Sequence, residues 1–160
     1  AKSIEKLTNI ASLCNNAVIS DKKILADATE NAIINFLILK RIDFNEIKLN
    51  NPRINENEFS SSKKTMSVIC ENNGIKTIYE KGAIDYVLKN CSSVLINNEE
   101  VPLSEKLKQK ILLANEKVCE QGERVIAFAY KNIDNNFSSI PAIFKAKLSV
   151  KYVTALLLVP

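Results

Sequence analysis

The chain has 160 residues, 46% of them hydrophobic and 25% charged, with a net charge of +4, a balance that suits one globular domain with a sizeable core. No apolar run reaches the roughly 18 residues a membrane-spanning helix needs, and the apolar tail Tyr152–Val159 reads as a buried strand. The four cysteines, at 14, 70, 91 and 119, form no C-x-x-C pair and the chain has no histidine, so zinc, iron–sulfur and imidazole chemistry are not expected. Each cysteine falls on an apolar stripe and is expected to be a reduced core residue of a cytosolic protein.

In chain order, Ile4, Leu7, Ala11 and Cys14 have the spacing of one helix face, which Asn15-Asn16 ends. Asp27 is placed to cap a second helix, with Glu30 three residues on as in a capping box and with Ala28, Ala32, Ile33, Phe36, Leu37 and Leu39 as its apolar surface. Residues 41–57 are polar, rich in asparagine and contain Pro52, and read as a loop with at most one short strand. Thr65–Cys70 alternates as a strand, Asn73-Gly74 marks a hairpin, and Ile75–Glu80 is the return strand. A helix is expected from about Gly82, with Ile84, Val87, Leu88 and Cys91 on one face, then a short strand at Val94–Ile96. Leu103, Leu107, Ile111, Ala114 and Val118 mark a longer helix that Gly122 terminates. Val125–Tyr130 is continuously apolar and reads as a central strand buried on both faces, followed by a loop over 134–141 and a last strand over about 148–159. Helices mixed with hairpins give an α/β sandwich of the α+β type, with a largely antiparallel sheet flanked by helices.

Several residues could carry chemistry, each against a plainer role. Phe59 is either a core ring or a platform on which a nucleobase stacks, and its flanks Asn57, Glu58 and Ser60–Ser62 are unusual for a buried ring. Lys63 and Lys64 are either solvated cations or neutralise phosphate. No G-x-x-x-x-G-K-[ST] is present, so a P-loop NTPase is not expected. Gly82 in Lys81-Gly82-Ala83 allows the backbone close to a ligand at a helix start, or simply makes a strand–helix turn. Glu30 either completes its capping box or faces a cavity, where it could accept a bond from an exocyclic amine. Arg124 is either paired with a carboxylate or aimed at phosphate.

Four segments in order resemble the nucleotide-binding domain of P-type cation-transporting ATPases. Asp27-Ala28-Thr29-Glu30 resembles D-P-T-E with alanine for proline, and Phe59–Ser67 resembles F-S-S-x-R-K-x-M-S with Lys63 for arginine. Lys81-Gly82-Ala83 is similar to K-G-A, and Gly122–Tyr130 to G-x-R-V-L-A-x-A-Y, while Cys14-Asn15-Asn16 resembles a C-N-(D/N) stretch near the start of that domain. The likeness covers roughly residues 5–132 and leans toward the calcium-pump-like branch. It implies that Phe59 stacks on adenine, that Glu30 bonds the adenine amino group, that Lys64 and Lys81 line the pocket, that Arg124 approaches the phosphates, and that Met66 and Gly82 shape the cavity.

The family's phosphorylated aspartate belongs to a D-K-T-G-T motif that is not in this sequence, and no T-G-E motif is present either. The resemblance therefore implies one nucleotide-binding domain over 1–160, a cytoplasmic part of an integral membrane pump, with no catalytic or metal-ligating residue of its own. Its ligand would be ATP, with Mg²⁺ in the full pump, and its partners the phosphorylation and actuator domains of the same longer chain. The other function class is a non-catalytic interaction domain that keeps the fold without the ligand. Nucleic acid is not expected, because no basic stripe is interleaved with several aromatics.

Overall fold

The computed structural model describes residues 2–21, 23–133 and 152–159, with Lys2 and the last stretch as backbone only. Its elements are α1 (Lys2–Leu13), β1 (Val18–Ser20), β2 (Lys23–Leu25), α2 (Ala28–Leu39), α3 (Phe44–Asn50), β3 (Arg53–Asn57), β4 (Thr65–Asn72), β5 (Ile75–Ala83), α4 (Ile84–Leu88), β6 (Ser93–Ile96), β7 (Glu99–Pro102), α5 (Glu105–Glu120), β8 (Arg124–Ile133) and β9 (Tyr152–Val159). Seven strands form one sheet in the order β3-β4-β5-β8-β9-β6-β7, and β1 and β2 form a separate hairpin. Every pairing in the large sheet is antiparallel except β6 with β9. The expected α/β architecture with a largely antiparallel sheet is what the chain adopts.

Strand alternation divides the core between the two sheet faces. Met66, Val68, Cys70, Ile126, Phe128 and Tyr130 pack with Leu7 and Ile10 of α1, with Cys14 just beyond its end, and with Ile33, Ile34 and Leu37 of α2. Ile69, Ile78, Val125, Ala127 and Ala129 pack on the other face with Ile84, Val87 and Leu88 of α4 and, less deeply, Leu107 and Ile111 of α5. The central strands β4 and β8 are thus covered on both faces, as the continuous apolar run at 125–130 anticipates.

The local signals act as their chemistry dictates. Asn73 and Gly74 both take positive φ, 49° and 77°, and close the β4–β5 hairpin. Asp27 accepts a bond from the Glu30 N–H at 2.8 Å, and Ser104 does the same for Leu107 at the start of α5. Gly122, at φ 82°, ends α5 with its N–H on the Cys119 carbonyl.

Some expectations are corrected. Residues 41–57 hold a helix and a strand, because Asp43 caps α3 through the Glu46 N–H and Phe44 anchors it in the core. Lys81 and Gly82 belong to β5, paired to β4 and β8, and the helix begins only at Ile84 with five residues. Gly82 therefore does not open a helix onto a ligand. Leu39 is 82% exposed, because the inward face of α2 is carried by Ile33, Ile34 and Leu37. Ile4 is also exposed, one turn before the buried part of α1. Of the cysteines, Cys14 and Cys70 are core residues, Cys91 is half-buried and Cys119 is exposed. The β6–β7 hairpin, closed by Asn97 and Asn98 at positive φ, follows the same turn chemistry as Asn73-Gly74. The expected loop at 134–141, and residues 148–151 of the last strand, lie outside the described residues.

Candidate functional site

A cavity of about 650 Å³ opens at one end of the three central strands, within the roughly 300–1,000 Å³ of small-molecule sites. Antiparallel pairing brings its floor together: Met66 opposes Lys81, Thr65 opposes Gly82, and Gly82 opposes Ala127. The start of β8 adds Arg124, Val125 and Ile126. The first turn of α2 supplies Asp27, Thr29 and Glu30, the β3–β4 loop supplies Phe59 and Lys64, and the end of α5 supplies Asn115 and Cys119. All seven residues singled out from the sequence, Glu30, Phe59, Lys64, Met66, Lys81, Gly82 and Arg124, line this one cavity.

Their surroundings differ. Phe59 is 58% exposed, so it is not a core ring. Met66 is 2% exposed and closes the floor. A Cβ at Gly82 would overlap the Lys64 carbonyl oxygen and Thr65, so any side chain there forces the loop to shift. That same carbonyl accepts the Ala83 N–H at 3.0 Å, which ties the loop to β5. Lys64 takes a left-handed φ of 55°, a conformation that costs a non-glycine residue energy and is held here by the bonds on either side of it. Its N–H donates to the Ser60 carbonyl at 2.8 Å.

The most constrained group is Glu30. Lys81 Nζ donates to Glu30 Oε1 at 2.8 Å, and the Asn16 N–H donates to the same oxygen at 2.9 Å. Both side chains of the ion pair are about nine-tenths buried. Oε1 is thereby saturated, while Oε2 has no hydrogen-bond partner among the described residues, in a residue that lines the cavity. The backbone of Glu30 is capped by Asp27, but its carboxylate reaches Asn16 and Lys81 rather than completing a reciprocal box. Asn16 is itself held by Arg53 Nη1, which donates to Asn16 Oδ1 at 2.7 Å. Lys64 and Arg124, both exposed, form no ion pair among the described residues.

Two contributors were not singled out by sequence reasoning. Asn16 was read as a helix end and as part of the C-N-(D/N) resemblance but given no role in the site, and Arg53 lay in a segment read as a loop with at most one short strand. Only the contact between the end of α1 and β3 gives them their roles, and no local pattern encodes that contact. On the opposite face of β5, Glu80 accepts a bond from Ser67 at 3.0 Å, and its second oxygen is buried without a partner among the described residues. Burial raises its carboxyl above the usual carboxylate range, against the lowering effect of the Ser67 bond.

Comparison with known proteins identifies the family. The family model described as P-type ATPase, cytoplasmic domain N, matches residues 3–155. A calcium-transporting ATPase of Listeria monocytogenes is 37% identical over 129 residues, which is 80% of this chain and 15% of that protein. Calcium-transporting ATPase 1 of Lactococcus lactis is 32% identical over 81% of this chain and 15% of its own length. The sodium/potassium-transporting ATPase subunit alpha-4 of Rattus norvegicus is 31% identical over 82% of this chain and 14% of its own length. The chain thus spans about one-seventh of the length of these relatives. No helix among the described residues is long and apolar enough to cross a membrane. With the family model covering nearly its whole length, the chain belongs to the family of P-type ATPase cytoplasmic N domains.

Proposed function

We propose that this chain binds ATP by its adenine end and holds it for a cation-transporting, calcium-type P-type ATPase of which it is one domain. The observation that carries the reading is the half-saturated Glu30 carboxylate. Lys81 and Asn16 occupy Oε1, and Oε2 remains to accept a hydrogen bond from inside the cavity. Adenine offers an exocyclic amine as donor where guanine offers a carbonyl oxygen, so such an acceptor discriminates between them. Phe59 supplies an exposed ring on which the base stacks. Lys64 and Arg124 supply positive charge free of ion pairs among the described residues, suited to the triphosphate. The described residues group no three metal-ligating side chains, so Mg²⁺ would enter on the triphosphate. Phosphoryl transfer would go to an aspartate on a separate phosphorylation domain, and this chain would contribute by positioning.

The test is an NMR titration of the chain with ATP, AMP and GTP. Saturable shifts at Glu30, Phe59 and Lys81 with ATP and AMP, and much weaker ones with GTP, are expected. Phe59→Ala should weaken ATP binding about 10–100-fold, the worth of one stacked base, with the fold unchanged because the ring is exposed. No response to nucleotide, or an unaltered affinity in Phe59→Ala, would favour an interaction domain that keeps the fold without the ligand.

A further inference from the structure

Arg53 acts on the larger cavity from a distance, through the turn after α1 that brings Asn16 to the cavity wall. Its backbone is fixed by the sheet, where β4 pairs it with Cys70. From there Nη1 donates to Asn16 Oδ1 at 2.7 Å, and Nη2 donates to the carbonyls of Leu13 and Asn15 at 2.8 and 3.2 Å. A planar guanidinium fork can hold acceptors in several directions at once, which a single ammonium cannot. Leu13 ends α1, where unpaired carbonyls favour a cation. Within the same turn, Asn15 Oδ1 accepts the Ala17 N–H at 2.7 Å. Together these bonds fix residues 13–17.

What this turn presents to the cavity is the Asn16 N–H, 2.9 Å from Glu30 Oε1. Lys81 Nζ reaches the same oxygen from β5 at 2.8 Å. One donor alone would leave the carboxylate free to turn and offer either oxygen, because the last torsion of a glutamate is broad and two-fold. Two donors on separate elements hold Oε1 and leave Oε2 open to a further donor. Lys81 can follow a moving carboxylate on its long stem, whereas the Asn16 N–H stands only where the backbone of 13–17 puts it. The orientation of Glu30 therefore depends on Arg53, which touches neither the carboxylate nor Lys81 through any hydrogen bond among the described residues.

We infer that Arg53 is a positioning residue for base selection: its three hydrogen bonds to residues 13–16 place the Asn16 N–H that turns the Glu30 carboxylate toward an exocyclic amine. The inference rests on the proposed reading of adenine by Glu30. The probes are ATP and purine riboside triphosphate, which is ATP without the exocyclic amine, titrated by NMR. The wild type should prefer ATP about tenfold or more, the worth of one hydrogen bond to a charged group. Arg53→Lys keeps the positive charge and removes the fork. It should weaken ATP to the level of the analogue, leave the analogue's own affinity unchanged, and move the Asn16 amide proton upfield before any nucleotide is added. Glu56→Gln removes the ion pair of Arg53 but none of its bonds to residues 13–16, and should keep the preference. Asn16→Ala, at an exposed position, removes only the Nη1 acceptor; it should lower the preference for ATP and gives the same reading if Arg53→Lys fails to fold. Equal weakening of both nucleotides in Arg53→Lys, as a merely structural role would give, overturns the inference. So does an unaltered preference in Arg53→Lys or Asn16→Ala, or a preference lost in Glu56→Gln. A wild type that binds both nucleotides equally would instead overturn the adenine reading itself, and the inference with it.

Discussion

Replacing Lys81 by methionine tests the arrangement most directly. It removes the ammonium that donates to Glu30 Oε1 at 2.8 Å while keeping most of the side-chain volume. The two side chains are 8% and 11% exposed, so the carboxylate left behind is poorly solvated. Removing one partner of a buried ion pair costs about 3–5 kcal/mol. Glu30 keeps the Asn16 N–H, and water reaches it through the cavity, so the low end, about 3 kcal/mol, is expected. For a chain of this size that corresponds to a fall in Tm of roughly 6–12 °C. Glu30→Gln should cost a similar amount by stranding the ammonium. The double variant Glu30→Gln/Lys81→Met should be more stable than the sum of the two by about 2 kcal/mol, since neither charge is then unpaired. Urea unfolding followed by circular dichroism near neutral pH measures all four proteins, with an unchanged m-value as the control. A loss under about 1 kcal/mol in Lys81→Met, or strict additivity in the double variant, would refute the claim that this pair holds Glu30 in place.

Gly82→Ala should destabilise by about 1–3 kcal/mol, because the added Cβ meets backbone at Lys64 and Thr65; wild-type stability in the same denaturation would show that the loop can yield there. Glu80 has a carboxyl pKa raised chiefly by burial, so the stability it contributes is present below its unfolded value of 4.5 and is lost as pH rises through the higher folded value. Glu80→Gln keeps an acceptor for Ser67 and should be more stable than wild type near neutral pH by about 1 kcal/mol, with the difference closing as pH falls toward 4.5; a difference independent of pH would contradict this. Burial pushes the thiols of Cys14 and Cys91 up to about 12 and that of Cys70 to about 11, whereas Cys119 is exposed and lines the larger cavity. A thiol reagent should therefore modify Cys119 first, and ATP should slow it; equally fast labelling of a second cysteine, read by mass spectrometry, would count against the packing.

Where a residue's role depends on its immediate neighbours, the sequence by itself determined the outcome. Asn73-Gly74 closes a hairpin, Asp27 and Ser104 cap helices, Gly122 ends α5, and Val125–Tyr130 runs through the core, each because backbone conformation or hydrophobic period at that point admits little else. The membership of Glu30, Phe59, Lys64, Met66, Lys81, Gly82 and Arg124 in one group was legible as well, though through family resemblance rather than through any local rule. Only the tertiary structure decided how those residues meet. Gly82 is small because the Lys64 carbonyl lies over it, eighteen residues back along a paired strand, and not because a helix begins there. Glu30 turns away from its own cap because Lys81 and the Asn16 N–H, brought in from β5 and the end of α1, bind the carboxylate more strongly than one backbone N–H would. Cys119 escapes the core because α5 leans on the sheet with a half-buried face and buries no residue fully. Arg53 and Asn16 acquire their roles from a contact between the end of α1 and β3 that spans some forty residues of chain, and short-range periodicity carries no information about partners at that distance.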